Sequence, residues 1–420
     1  MSIFSDRTAI FAAAFCAIAP ATPALAFHLG LGNAAAAAGS KVVNNANANY
    51  SAINGTVFDA PPLPSCGSNM ALFTSAPVTD PTFVSINPIG HVFPPGHTFP
   101  ADHAYFGFTT GVSPNINLYA PGDGWVTQVI ALYGVGNSPD GYVINFSPCA
   151  EVTLMNLSVN TLAPALLNPS GPASTSCSSF GENFPGAVAS CVTTMQLPVK
   201  AGDLLGNGGL VDFGPIIDTR FQLSGFIDPG RHDLNRGFCP VNYFTPSLKA
   251  AYTAILGVNN GTTFIPRTTP PLCGTIVQDL AGTVQGDWFF PGASYPPDNP
   301  HLALIHDSVY PSTGTFSSGT SIPGFVGAWD FFPKQAADNT RIDYDFSLVN
   351  DTEIYCYDSF LIAFSNGAGV PDPNLVGDIL LMQLSGPSLD TLKIELQTPG
   401  TPCGGAGTWA FTSNAVTFQR

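Results

Sequence analysis

Glycine or proline falls at almost every fifth position of this chain, 43 and 39 of its 420 residues. Both disfavour helix interiors, and both mark turns. The stretches between them are rich in Val, Thr, Phe and Tyr, types that suit a half-buried pleated surface. Short strands joined by many turns follow, so the fold class is mainly β. HAYFGF, GWVTQVIALYGV, DGYVINF and EVTLMNLSV alternate apolar and polar residues imperfectly between Gly, Pro or Asn. Further on, GTIVQDL, TVQGDWFF, HLALIHDSVY, RIDYDFSLV, DILLMQLSG, TLKIELQ and WAFTSNAVTF continue the pattern and predict a second β sandwich or barrel. One helix stands out in TPSLKAAYTAILG. Thr245 is placed to cap it, Pro246 to start it and Gly257 to end it, and Leu248, Ala251, Tyr252, Ile255 and Leu256 share a face.

The N-terminus reads as an export signal over residues 1–26: Arg7, the apolar run TAIFAAAFCAIA, and Ala24-Leu25-Ala26 as cleavage site. That run is too short and too Pro-interrupted to span a bilayer, and no other apolar run is long enough. Phe15 before Cys16 argues against a lipoprotein signal. Residues 27–70 are a small-residue, Asn-rich lead-in, 71–256 a first β domain, 257–271 a polar, Pro-rich linker, and 272–420 a second β domain. A hydrophobic content of 45 % excludes a disordered acidic chain, and a formal charge of −16 excludes nucleic acid and anionic membrane surfaces as partners. Past the signal, Cys66, Cys149, Cys177, Cys191, Cys239, Cys273, Cys356 and Cys403 remain. An even set in an exported chain predicts disulfides and a secreted, periplasmic or cell-envelope location. Connectivity stays open. Cys177 with Cys191, and Cys356 with Cys403, would each close a loop within one domain.

Between residues 97 and 220, four pieces in order resemble the M23 (LytM/lysostaphin-like) metallopeptidases: LYAPGDGWV, DGYVINF with VTLMNLSV, VKAGDLLGNGG, and LVDFGPI. The resemblance covers under a third of the chain. It implies a barrel-sandwich hybrid-like β fold around a groove, zinc as cofactor, and peptidoglycan or another cell-wall glycan or peptide as ligand. The same glycines and Asp-Gly pairs are also ordinary turn signals in any β protein. The chemistry departs from the family. Its H-x-H segment aligns with Leu210 and Asp212, its Y-x-H histidine with Asn156, and its early metal-binding Asp with His103, with His97 as the earlier ligand.

His97, His103 and Asp212 then form a candidate metal set, since two imidazoles and a carboxylate suit a divalent ion. Six residues of straight strand span roughly 20 Å, whereas two nitrogens on one zinc lie within about 4 Å. The chain must fold back between His97 and His103, and Pro100 is placed to bend it. The alternative is two histidines bonded to backbone carbonyls near a strand entry. For hydrolysis, Leu210 offers no base, Asn156 could donate to an oxyanion but not carry a proton, and Asp102 is the nearest replacement base. The leading expectation is a binding protein without efficient peptidase activity; the runner-up is an active zinc metallohydrolase. Elsewhere, His301 and His306, five apart on one strand, point to opposite faces. RHDLNRGF reads as a solvated loop held by ion pairs, and Trp125, Trp288, Phe289 and Phe290 as core rather than a sugar platform.

Overall fold

A computed structural model describes residues 60–420, apart from 110–114, 134–137, 180–187, 210–211, 233–236, 260–262, 296, 364–369 and 405–407. The signal peptide, most of the lead-in and Leu210 lie outside the described residues. Strands are numbered in chain order. The largest sheet is antiparallel, in the order β12 (Ile216–Asp218), β6 (Val152–Val159), β5 (Pro139–Cys149), β4 (Gly124–Tyr133), β9 (Val188–Val199) and β8 (Ala173–Ser179). Two three-stranded sheets flank it: β1 (Phe83–Asn87), β2 (Ala104–Phe108) and β11 (Asp212–Phe213); then β3 (Asn117–Tyr119), β10 (Leu204–Asn207) and β7 (Thr161–Leu162). The C-terminal unit has a five-stranded sheet of β15 (Gly286–Trp288), β16 (Leu302–His306), β17 (Gly314–Ser318), β18 (Gly327–Phe331) and β20 (Leu361–Ile362). Its second sheet orders β19 (Tyr355–Tyr357), β21 (Ile379–Ser385), β22 (Thr391–Gln397) and β23 (Val416–Gln419). The chain is mainly β, as its Gly and Pro punctuation predicts. No sheet closes into a barrel among the described residues, so the barrel half of the expectation for both units is not met.

The imperfect alternation of the strand sequences has a physical cause. In β4, Val126 and Val129 face the same core although three residues apart, because the register shifts between Val126 and Gln128. In β6, Leu154 and Leu157 do the same across a bulge in which Met155 and Asn156 oppose Asn145 alone. An extra residue reverses the pleat, so the apolar face continues on the other parity. Ile130, Leu132 and Val143 form a small cluster of their own.

The predicted helix is α2, Pro246–Thr253, after a one-turn α1 at Pro164–Leu167. Thr245 makes no side-chain cap; its carbonyl accepts from Lys249, and Tyr252 is the buried anchor. Residues 257–271 hold a short hairpin, β13 (Gly257–Asn259) with β14 (Phe264–Pro266), rather than a bare linker. The main apolar cluster runs from Phe73 to Ile276 and the C-terminal one from Val284 to Phe418, shared by both C-terminal sheets. A third cluster, of Val92, Phe99, Phe289, Ala303 and Ile305, joins the two units at the tip of the β1–β2 hairpin.

Four disulfides lock the fold: Cys66–Cys149, Cys177–Cys191, Cys239–Cys273 and Cys356–Cys403. They mark a chain that folds in an oxidising compartment. No helix among the described residues is long and apolar enough to cross a membrane.

Candidate functional site

The histidines sit on the extended β1–β2 hairpin. Above the strand ladder, Gly90 N–H donates to Ala101 O at 2.7 Å and Ala101 N–H to His91 O at 2.8 Å. Further out, Phe93 and His97 exchange two backbone bonds, of 2.8 and 3.0 Å, around Pro94–Gly96. The required fold-back is therefore made largely by the Pro94–Gly96 turn, upstream of Pro100. Gly90 has φ +87°, and a Cβ there would collide with the Thr275 carbonyl. Only glycine lets the base of the loop lie this close to the chain after the Cys239–Cys273 bridge.

The fold brings His97, His103 and Asp212 together. The His97 and His103 ring centroids are 5.0 Å apart. Asp212 pairs across β11–β2 with Tyr105, which puts its Oδ1 3.6 Å from His103 Nε2. Asp102 is not free to act as a base: its Oδ1 accepts from His103 Nδ1 at 3.0 Å. With that tautomer assigned from the network, Nε2 faces Asp212 and the Tyr105 hydroxyl, the latter at 3.2 Å. Asn156 has φ +55° on the β6 bulge, and its N–H donates to Asn145 Oδ1 at 3.3 Å. Its side chain makes no hydrogen bond to the histidines. Two residues on, Ser158 Oγ accepts from the Asp212 N–H at 3.3 Å, so the bulged strand holds β11 in place.

Three participants escaped the sequence reading. His91 lies 6.1 Å from His103 and 4.3 Å from Tyr105 between ring centroids. Its Nδ1 donates to Pro88 O at 3.0 Å, and its buried Nε2 has no hydrogen-bond partner among the described residues. The even six-residue spacing of His91, His97 and His103 was its available signal. Tyr105 packs between the rings on β2. Asp298 comes from the C-terminal unit, 199 positions after Phe99, whose N–H it accepts at 3.4 Å. No local signal marks it.

Electrostatics separates the three rings. Burial holds His91 at about 3, reinforced by the His103 charge. Burial also takes His97 well below the ordinary value, with both neighbouring rings adding to it. At His103 burial acts in the same direction, but the Asp102 hydrogen bond and the charges of Asp212, Asp102 and Asp298 together outweigh it and raise the ring. Burial, with Asp212 and Asp102, pushes the Tyr105 phenol well above its usual range. Burial lifts Asp298 to about 7.

The loop is clamped from the second unit. Phe99 stacks on His301 at 5.2 Å and 4°, and Ser317 Oγ donates to Thr98 O at 2.6 Å. His97 and His103 are 8 % and 6 % exposed, so the cluster is no open groove. Among the described residues, the one His, Cys, Asp or Glu trio with ligand atoms mutually within 4.8 Å is Cys66, Cys149 and Glu151, and a disulfide consumes its two sulfurs. The histidine cluster is wider than a closed coordination shell.

The His301 and His306 pair resolves structurally. His301 is satisfied by Phe290 N–H at its Nδ1 and Ser294 O at its Nε2, while His306 bonds Asp345. The 231–238 loop is not wholly solvated: His232 is 1 % exposed and stacked on Phe226 at 4.1 Å, although Arg231 does pair with Asp228. Residues 233–236 lie outside the described residues. Trp288 and Phe289 are core, and Trp125 and Phe290 are partly buried. No family model, curated protein or solved structure matches the chain.

Proposed function

We propose that this chain is an exported binding protein on an M23-like scaffold, with zinc held by His97, His103 and Asp212 and with His91 as a further ligand. The observation that carries the reading is the orientation of the rings. His91 and His103 each tie Nδ1 to an acceptor; His103 Nε2 then lies 3.6 Å from Asp212 Oδ1, and His91 Nε2 is buried with no hydrogen-bond partner among the described residues. Outer-shell acceptors of this kind orient metal-binding imidazoles. The donor set suits zinc, and the unpartnered His91 Nε2 is a buried lone pair that a cation would satisfy. Closing the shell requires the rings to turn inward. A bound ion would supply Lewis acidity. The residues themselves hold and orient; Asp102 fixes the His103 tautomer, and Asn156 supplies no proton transfer.

Binding is favoured over peptide hydrolysis because the C-terminal unit covers the loop and Asp102 is engaged with His103. The scaffold reading rests on the four resembling pieces, two of which are tied together: Asp123 accepts from Lys200 Nζ and Ala201 N–H, both at 3.0 Å. From the same resemblance come a cell-wall glycan or peptide as ligand and a secreted or periplasmic location. A second reading, an active zinc metallohydrolase, draws on the Asp102–His103 hydrogen bond, since a carboxylate-oriented imidazole is a recurring general base.

Elemental mass spectrometry on protein purified without a metal-affinity tag tests the proposal. About one zinc per chain, lost in His103→Ala/Asp212→Ala, is expected. Folded wild type without metal would sink both readings. Peptidoglycan hydrolysis by the metal-loaded chain would choose the second.

A further inference from the structure

Helix α2 stands between two apolar hollows. One, of about 400 Å³, lies between the helix, the 3₁₀ turn Pro240–Tyr243 and the chain around Cys273. Its apolar lining includes Leu223, Phe238, Val241, Leu256, Leu272 and Ile276. The other is more open and lies against Met70, Phe244 and Ala254. Asn242, Lys249 and Thr253 line both. Lys249 and Thr253 are one helical turn apart and so share a face. With Asn242 they form a polar ridge beside the first hollow.

The walls of that hollow are pinned. Cys239 and Cys273 both line it and are joined by a disulfide. Cys273 O accepts from Ile89 N–H at 3.0 Å, and Phe238 exchanges two backbone bonds with Ile216, of 3.0 and 2.7 Å. Leu256 O accepts from Arg267 N–H at 2.9 Å. Walls held in this way keep their spacing when the hollow is empty, which lowers the cost of ordering a site around a ligand. The volume falls in the range of small-molecule clefts, roughly 300–1,000 Å³, which are also mainly apolar with a few polar groups that orient the ligand.

Charge selects the ligand. Of the 12 Lys and Arg, Arg7, Lys41 and Arg236 lie outside the described residues. Five of the others pair with carboxylates. Arg267 and Arg420 donate to backbone carbonyls, and Lys393 lies over the Phe411 ring. That leaves Lys249, whose exposed ammonium has no hydrogen bond or ion pair among the described residues. On a chain of formal charge −16, an anion is disfavoured except beside a local, uncompensated cation. We propose that the cleft binds a single-chain amphiphile of the fatty-acid class. Its carboxylate sits on Lys249, with the Asn242 amide and Thr253 hydroxyl as neutral donors, and its apolar chain lies in the hollow. An uncharged chain would leave the lysine unused, and a small anion would leave the hollow unfilled.

Isothermal titration calorimetry on the full mature chain, with monomeric decanoate and 1-decanol as probes, tests this. About one decanoate per chain should bind with a Kd of about 1–100 μM, and 1-decanol at least about tenfold more weakly. Lys249→Met keeps an apolar stem at an exposed position and removes the charge, so it should keep the wild-type melt. It should weaken decanoate at least about tenfold and leave 1-decanol unchanged. Leu272→Glu, at the exposed rim, should weaken both probes, and it carries the test if the methionine variant does not fold. Wild type that binds no decanoate up to about 1 mM overturns the proposal. So do equal affinities for the two probes, and decanoate binding that persists undiminished in the folded variants. Capture by phosphatidylglycerol vesicles without decanoate binding would make this a membrane-docking face and would also overturn it.

Discussion

On the β1–β2 hairpin His91 and His97 both lie against His103, with Tyr105, Asp102 and Asp212 beside it; in the C-terminal unit His301 and His306 lie five positions apart and go to separate partners. Both regions bury imidazole near carboxylate. The second is closed: His301 uses both nitrogens on backbone, and Asp345 accepts from His306, the Ser347 hydroxyl and N–H, and Gln335. Among the described residues, the first keeps a buried nitrogen on His91 and an oxygen on Asp298 without a hydrogen-bond partner. A histidine–carboxylate contact therefore does not by itself mark a site; what sets the first region apart is a buried imidazole nitrogen left without a hydrogen-bond partner among the described residues.

If that contrast is right, support residues should govern stability and cluster residues should govern ligand binding. The largest effect is expected from Phe99→Ala, which empties the seam between His301, Phe289 and the hairpin tip. About 3–5 kcal/mol should be lost, measured by urea unfolding, and metal uptake should fall with it. A loss under about 1 kcal/mol would mean that the second unit does not clamp the loop.

Asp298→Asn should act in the opposite direction. Burial raises the native carboxyl to about 7, above its unfolded value of about 3.9. Stability from such a group is fully present below the unfolded value and is lost as pH rises through the folded one. Wild type should thus lose about 2–3 kcal/mol relative to the variant between pH 5 and pH 7. Melting curves of both proteins at the two pH values decide it; parallel behaviour would remove Asp298 from the electrostatics of the cluster.

Asp345→Asn should cost about 1–2 kcal/mol at neutral pH by weakening its bonds to His306 and Ser347. Burial alone would raise Asp345, but the His306 and Ser347 hydrogen bonds outweigh it and hold the carboxyl well below the usual range. That stability is present above the unfolded value and lost as pH falls. The deficit of the variant should therefore shrink below about pH 4. A pH-independent deficit would break the comparison from the closed side.

The smallest stability change is expected for His91→Ala, under about 1 kcal/mol, because it removes one backbone bond and one unpartnered nitrogen. Its effect should appear instead in zinc titration, with at least tenfold weaker affinity. Unchanged affinity would remove His91 from the ligand set.

The sequence by itself determined the β class, because glycine and proline at this density leave only short strands between turns. Cysteine parity pointed to disulfides, and spacing brought out Cys177–Cys191 and Cys356–Cys403. His97, His103 and Asp212 could be named, since residue type and order are local properties. Two bulges could not be read, because an inserted residue at Asn156 or Thr127 looks in sequence like a fault in the alternation. Tertiary structure alone decided that the Pro94–Gly96 turn folds the histidines together, that β11 delivers Asp212 opposite Tyr105, and that Asp298 closes the cluster from the other unit. Those contacts join residues up to 199 positions apart. Strand pairing and packing set them, and neither leaves a periodic trace in the chain that a local reading can detect.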